Sequence, residues 1–207
     1  MDGSSLDHCV LARTTHPSGV VVLETWREAG ELSRPSGPAI VRRDPYTGRV
    51  IRLAWWRAGK LHRQAGPAFL ERDPINGKIY WAEWWQDGEL HGDHGPAVIR
   101  RDKRSGVITI EKWWVHGQLH RVGNPAVLRR DPVTGGPVWQ EWWVDGTFVR
   151  AEDEASVWLS SDPRAAAVTA QTMKARQNNG DAPRYEPLCA GFGSRWARVA
   201  KMPAPTP

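Results

Sequence analysis

Cysteine is nearly missing from this chain. Only Cys9 and Cys189 occur in 207 residues, too few for a disulfide framework, so a reducing cytoplasm is the expected setting. Long apolar runs are missing too. No stretch approaches the roughly 18 residues of a membrane span, and "MDGSSLDHCVLARTTHPSG" lacks a basic start followed by an apolar core. The expectation is a chain that is neither secreted nor membrane-spanning. Motifs of common chemistries are absent as well: no glycine-rich phosphate loop, HExxH, GxSxG or CxxC is found. Phenylalanine and tyrosine are scarce, three of each, while tryptophan occurs 13 times. That imbalance departs from ordinary globular usage, and something in the architecture demands indole rings.

The rest of the composition is unremarkable: 40% hydrophobic and 25% charged residues describe a globular chain, the size of one domain with extensions. The net charge of +5 falls entirely within residues 18–150, which hold 20 basic and 15 acidic side chains. A surplus so diluted permits an acidic partner without specifying one.

Internal repetition sets the organisation. Gly30, Gly59, Gly88, Gly117 and Gly146 stand 29 residues apart, and Pro38, Pro67, Pro96 and Pro125 keep the same period. So do Ala39, Ala68, Ala97 and Ala126, the aspartates Asp44, Asp73, Asp102 and Asp131, and the glycines Gly48, Gly77, Gly106 and Gly135. Segments such as "KIYWAEWWQ" are rich in aromatic and β-branched residues and end at "DG", "AG" or "HG", which suits a two-residue turn with positive φ. The Gly-Pro of "ELHGDHGPAVIRR" predicts a kink between two short strands, and "DPYTG" or "DPVTG" a turn into the next copy. "DKRSG" has no proline and is expected to form a looser turn.

Each copy carries two adjacent tryptophans. Neighbouring residues of a strand point to opposite faces, so the pair predicts two indole ladders. Trp26, Trp55, Trp84, Trp113 and Trp142 form an unbroken one; Trp56, Trp85, Trp114 and Trp143 form another in which the first copy has Arg27. Because an arginine is hard to place in a dry core, the unbroken ladder is the expected core and the broken one the expected surface.

These residues resemble MORN repeats, whose pattern runs roughly Trp-x-x-Gly-x-x-His-Gly-x-x-Gly. Trp85, Gly88, His91, Gly92 and Gly95 fit it. Trp56, Gly59, His62 and Gly66 fit with Arg63 at the second glycine, and Trp114, Gly117 and His120 fit with Arg121 there. The longer unit is similar to MORN-variant repeats of bacterial antitoxin or immunity proteins, and the resemblance covers about residues 18–150. It implies an elongated sheet of hairpins that binds proteins and, in some members, lipids. The doubled tryptophan and the longer unit depart from the family pattern.

The expected class is therefore all-β: tandem β-hairpins on a 29-residue period forming a MORN-like antiparallel sheet, with a short C-terminal helix. Residues 1–17 are expected to be a flexible arm, 18–150 the five-copy array, 151–180 a helical cap and 181–207 a flexible tail. In "LSSDPRAAAVTAQTMKARQNNG", Asp162 would be the N-cap, Pro163 the first helical residue and Asn179-Gly180 the stop. Tyr185, Phe192 and Trp196 are candidate motif anchors in the tail.

The expected function is a non-catalytic protein-binding module of antitoxin, immunity or scaffold type, with no cofactor, no metal and no catalytic residue. A toxin is one candidate partner. His62, His91 and His120 should stand roughly 10 Å apart, too far to share a metal and better placed to bond hairpin backbone. Arg42, Arg43, Arg72, Arg100, Arg101, Arg129 and Arg130 precede the turns, so indoles and guanidinium groups could share one face. The candidate partner-binding residues are Trp56, Trp85, Trp114, Trp143, Arg27, Arg72, Arg101 and Arg130. Nucleic acid, or another anionic surface such as lipid, is the alternative, with Glu83, Glu89, Glu111 and Glu141 near the tryptophans weighing against it.

Overall fold

The computed structural model describes residues 9–153. The expected helix and tail lie outside the described residues, as do Cys189, Tyr185, Phe192 and Trp196. Within them the protein is all-β. Strand β1 (Val10–Thr15) precedes the first copy, which contributes β2 (Val21–Glu28) and β3 (Glu31–Leu32). Three copies then follow the same plan: β4 (Ile40–Arg43) and β5 (Val50–Ala54) lead to the small hairpin β6 (Trp56–Arg57) and β7 (Lys60–Leu61). Next come β8 (Phe69–Arg72) and β9 (Ile79–Glu83) with the hairpin β10 (Trp85–Gln86) and β11 (Glu89–Leu90). The third set is β12 (Val98–Arg101) and β13 (Ile108–Lys112) with β14 (Trp114–Val115) and β15 (Gln118–Leu119). Strands β16 (Val127–Arg130), β17 (Pro137–Val144) and β18 (Thr147–Asp153) close the series.

The long strands make one antiparallel sheet ordered β1-β2-β4-β5-β8-β9-β12-β13-β16-β17-β18, with β3 joined to β2 as its twelfth strand. The hairpin turns carry positive φ at both central residues, for example 50° at Asp87 and 88° at Gly88. That backbone twist matches the flanking strands. Successive hairpins are stitched by main-chain bonds: Gly88 N donates to Leu61 O at 2.9 Å and Gly117 N to Leu90 O at 3.0 Å. The histidine column adds side chains to this seam. The amides of Asp87, His116 and Asp145 donate to Nδ1 of His62, His91 and His120, each at 3.1 Å.

The turns between copies are built on aspartate. Asp44 Oδ1 accepts from the amides of Tyr46 and Thr47, and Asp131 Oδ1 from Val133 and Thr134. The turn at Asp102 has the same bonds, from Arg104 and Ser105. It is not looser: the aspartate, not the proline, defines the geometry. Backbone donation lowers the pKa of all four carboxyls from their ordinary 3.8. A depressed folded pKa stabilises the fold above the unfolded value and ceases to do so as pH falls through the folded one. The urea midpoint is expected to hold level above that ordinary value and to decline below it, less steeply in Asp102→Asn.

Two expected boundaries move. Residues 10–15 are not a flexible arm but pair with β2, where "VLARTT" covers its open edge. At the other end β18 runs through position 150 to Asp153, because the last return leg has no Gly-Pro and stays paired along β17, with one register shift at Trp142–Trp143.

The core differs from the expected one. Tryptophans of both ladders are half-buried, and it is Trp85 and Trp114, members of the broken ladder, that pack on the buried cluster of Leu90, Ala97 and Val98. The alanines Ala39, Ala68, Ala97 and Ala126 are fully buried, at the point where each hairpin folds back onto the sheet. Arg27 does not mark an exposed ladder. Its cross-strand partner is Val10 of β1, not a preceding tryptophan-bearing copy, and its Nη1 bonds Gly30 O at 2.8 Å.

Candidate interaction surface

Cross-strand register separates the two faces. One face carries the row Ile40, Ala54, Phe69, Glu83, Val98, Lys112, Val127 and Glu141, all buried. Glu83 accepts from Nε1 of Trp81 and of Trp85, both at 2.9 Å. Glu141 does the same for Trp139 and Trp143, at 2.8 Å each. A carboxylate two residues before the indole thus anchors it. In the other two copies that position is Ala54 or Lys112, which offer no acceptor, and Nε1 of Trp56 and Trp114 is buried without a partner. This is the tryptophan–glutamate face.

The opposite face carries the unbroken ladder, and arginine covers it. The guanidinium of Arg34 lies 4.0 Å from the Trp26 ring, Arg63 3.8 Å from Trp55, Arg121 3.8 Å from Trp113 and Arg150 3.9 Å from Trp142. Three of these groups are fixed at a second point. Nη1 of Arg34, Arg63 and Arg121 donates to the carbonyl of Pro38, Pro67 and Pro125, at 3.3, 3.1 and 3.2 Å. The chain reaches the stack by turning back through its two-residue positive-φ hairpin turn, so the arginine eight residues after the tryptophan returns above it. Burial lowers the pKa of Arg63 and Arg121, yet arginine stays protonated at working pH. The result is a column of charged, stacked pairs repeating about every 10 Å, two strand spacings.

The sequence-derived candidates fall on both faces. Trp56, Trp85, Trp114 and Trp143 line the tryptophan–glutamate face, with Trp143 also edge-on to Phe148 at 5.2 Å. The arginines expected beside them are elsewhere. A β-bulge after Arg42, Glu71, Arg100 and Arg129 shifts the register, and Arg130 turns to Glu111 at 2.8 Å on the tryptophan–arginine side. Arg72 and Arg101, at the equivalent positions, bond the turn carbonyls of Gly77 and Gly106. Arg100, expected to share a face with indoles, does stack on Trp81, but Arg34, Arg63, Arg121 and Arg150 were not among the candidates. The column 34, 63, 92, 121, 150 reads Arg, Arg, Gly, Arg, Arg, and that periodicity was the available signal.

The glutamates also need correction. Glu83 and Glu141 are buried acceptors, not surface charges that would repel a phosphate.

On the bulged side lies an open concavity of about 730 Å³ bordered by Tyr80, Trp81, Arg100, Lys103, Thr109 and Arg129, among others. Arg100 stacks on Trp81 at 3.8 Å and Lys103 on Tyr80 at 4.0 Å. Tyr80 donates to Glu71, which also pairs with Arg52; burial, then that bond, push the Tyr80 pKa well up. Among the described residues no three His, Cys, Asp or Glu side chains converge to hold a metal, and no helix is long and apolar enough to cross a membrane. Searches against family models, curated proteins and solved structures found no match.

Proposed function

We propose that the chain is a non-catalytic protein-binding module of the MORN-like kind, acting as a scaffold or as an antitoxin or immunity factor in the cytoplasm. One observation carries this reading: the column of arginines stacked on tryptophans along a single sheet face. Arginine and tryptophan dominate the energetics of protein contacts. Three of the four stacked arginines are held in place by Pro-carbonyl bonds, so little side-chain freedom is lost there when a partner docks. Identical groups along a line suit an extended partner surface better than a reaction, which needs unlike groups at one point.

The test is affinity capture from an extract of the source cells. The wild-type chain is expected to retain a specific protein, and Arg63→Glu with Arg121→Glu to reduce retention at least tenfold while the fold persists. Retention of no protein, or retention indifferent to the charge reversal, overturns the reading. The concavity around Arg100 and Arg129 supports a second reading, an anionic ligand such as nucleic acid or a lipid surface. In that case binding is nuclease- or lipid-dependent and weakens steeply with salt.

A further inference from the structure

The stacked column has one gap. Four of its five indoles hold a guanidinium, but the residue eight positions after Trp84 is Gly92, and among the described residues no cation lies over the Trp84 ring. The backbone enforces the gap. A Cβ at Gly92 would stand 2.2 Å from the Gly95 carbonyl oxygen, so no side chain fits without moving the loop. Losing the arginine also leaves the Pro96 carbonyl without the donor that Pro38, Pro67 and Pro125 receive. Charge changes in the same place. The residue after the column position is uncharged in the other copies, Pro35, Gln64, Val122 and Ala151, but is Asp93 here. Asp93 is exposed, and its carboxyl pKa is lowered by the His91 bond, so it carries its negative charge at neutral pH.

We propose that the gap over Trp84 is a docking point for an arginine side chain of a protein partner. The chain itself displays the bound geometry four times: a guanidinium about 4 Å above an indole, donating to a proline carbonyl where the loop provides one. An incoming guanidinium finds the same ring and carbonyl, with Asp93 adding the attraction of opposite charge. This rests on the reading that the tryptophan–arginine face meets a protein, and it specifies which partner residue the middle copy takes.

The indole ¹H–¹⁵N resonances of the full chain provide the test, with acetyl-arginine-amide as the probe and acetyl-citrulline-amide, the same shape without charge, as the control. The Trp84 resonance is expected to shift with a Kd on the order of 100 millimolar, as one cation–π contact allows, while those of Trp55 and Trp113 stay in place. Asp93→Asn is expected to weaken the arginine response about two- to fivefold. A Trp84 resonance that does not move, that moves equally with citrulline, or that moves together with all the other indoles overturns the proposal. Since capture depends on Arg63 and Arg121, a null result here leaves the protein-binding reading to be judged on its own test.

Discussion

Trp85→Ala is expected to destabilise the fold by about 2–4 kcal/mol, and Trp84→Ala by no more than about half as much. The two residues are adjacent, identical in type and both half-buried, so composition and burial class alone forecast equal effects. Their surroundings differ. Trp85 packs on Leu90, Ala97 and Val98, and its Nε1 donates to buried Glu83. Truncation opens a cavity beside the point where the hairpin meets the sheet. Trp84 lies on the other face, where neither a guanidinium nor a carboxylate holds its ring. Urea denaturation of the two variants gives the comparison, and equal losses would show that the faces do not differ as described.

Glu83→Ala is expected to cost about 2–4 kcal/mol, although it removes a charge from a buried site. Glu83 is 4% exposed and serves two indole donors at once. Removing it strands two buried N–H groups, each worth about 1–3 kcal/mol. Glu83→Gln keeps one acceptor oxygen and is expected to fall between the wild type and Glu83→Ala. Thermal or urea unfolding of both variants decides this. A neutral or stabilising Glu83→Ala would mean that desolvating the carboxylate outweighs what it bonds.

Much of this fold is legible in the sequence, for reasons that are local. The two-residue turns at Asp87-Gly88 and its equivalents follow from glycine beside a residue that tolerates positive φ, and the aspartate turns from a side chain that bonds its own backbone. The histidine column was expected to bond hairpin backbone and does so, although across copies. What could not be read was which face is covered. Arg27 looked like proof of an exposed ladder, but it stands in the first copy, where its cross-strand partner is Val10 of β1 and not a tryptophan-bearing copy. The covering arginines reach their indoles because the hairpin turn between them brings the chain back, an event beyond one strand that alternation along it does not encode. The bulges that carry Arg72, Arg101 and Arg130 away from the expected tryptophans likewise arise from pairing, not from the local sequence.

Indole hydrogen exchange measures the division of the two faces most directly. Nε1 protons of Trp85 and Trp143, bonded to buried Glu83 and Glu141, are expected to exchange slowly, and that of half-buried Trp84, which no acceptor holds among the described residues, faster than either. Fast exchange at Trp85 and Trp143 together with protection at Trp84 would contradict the arrangement.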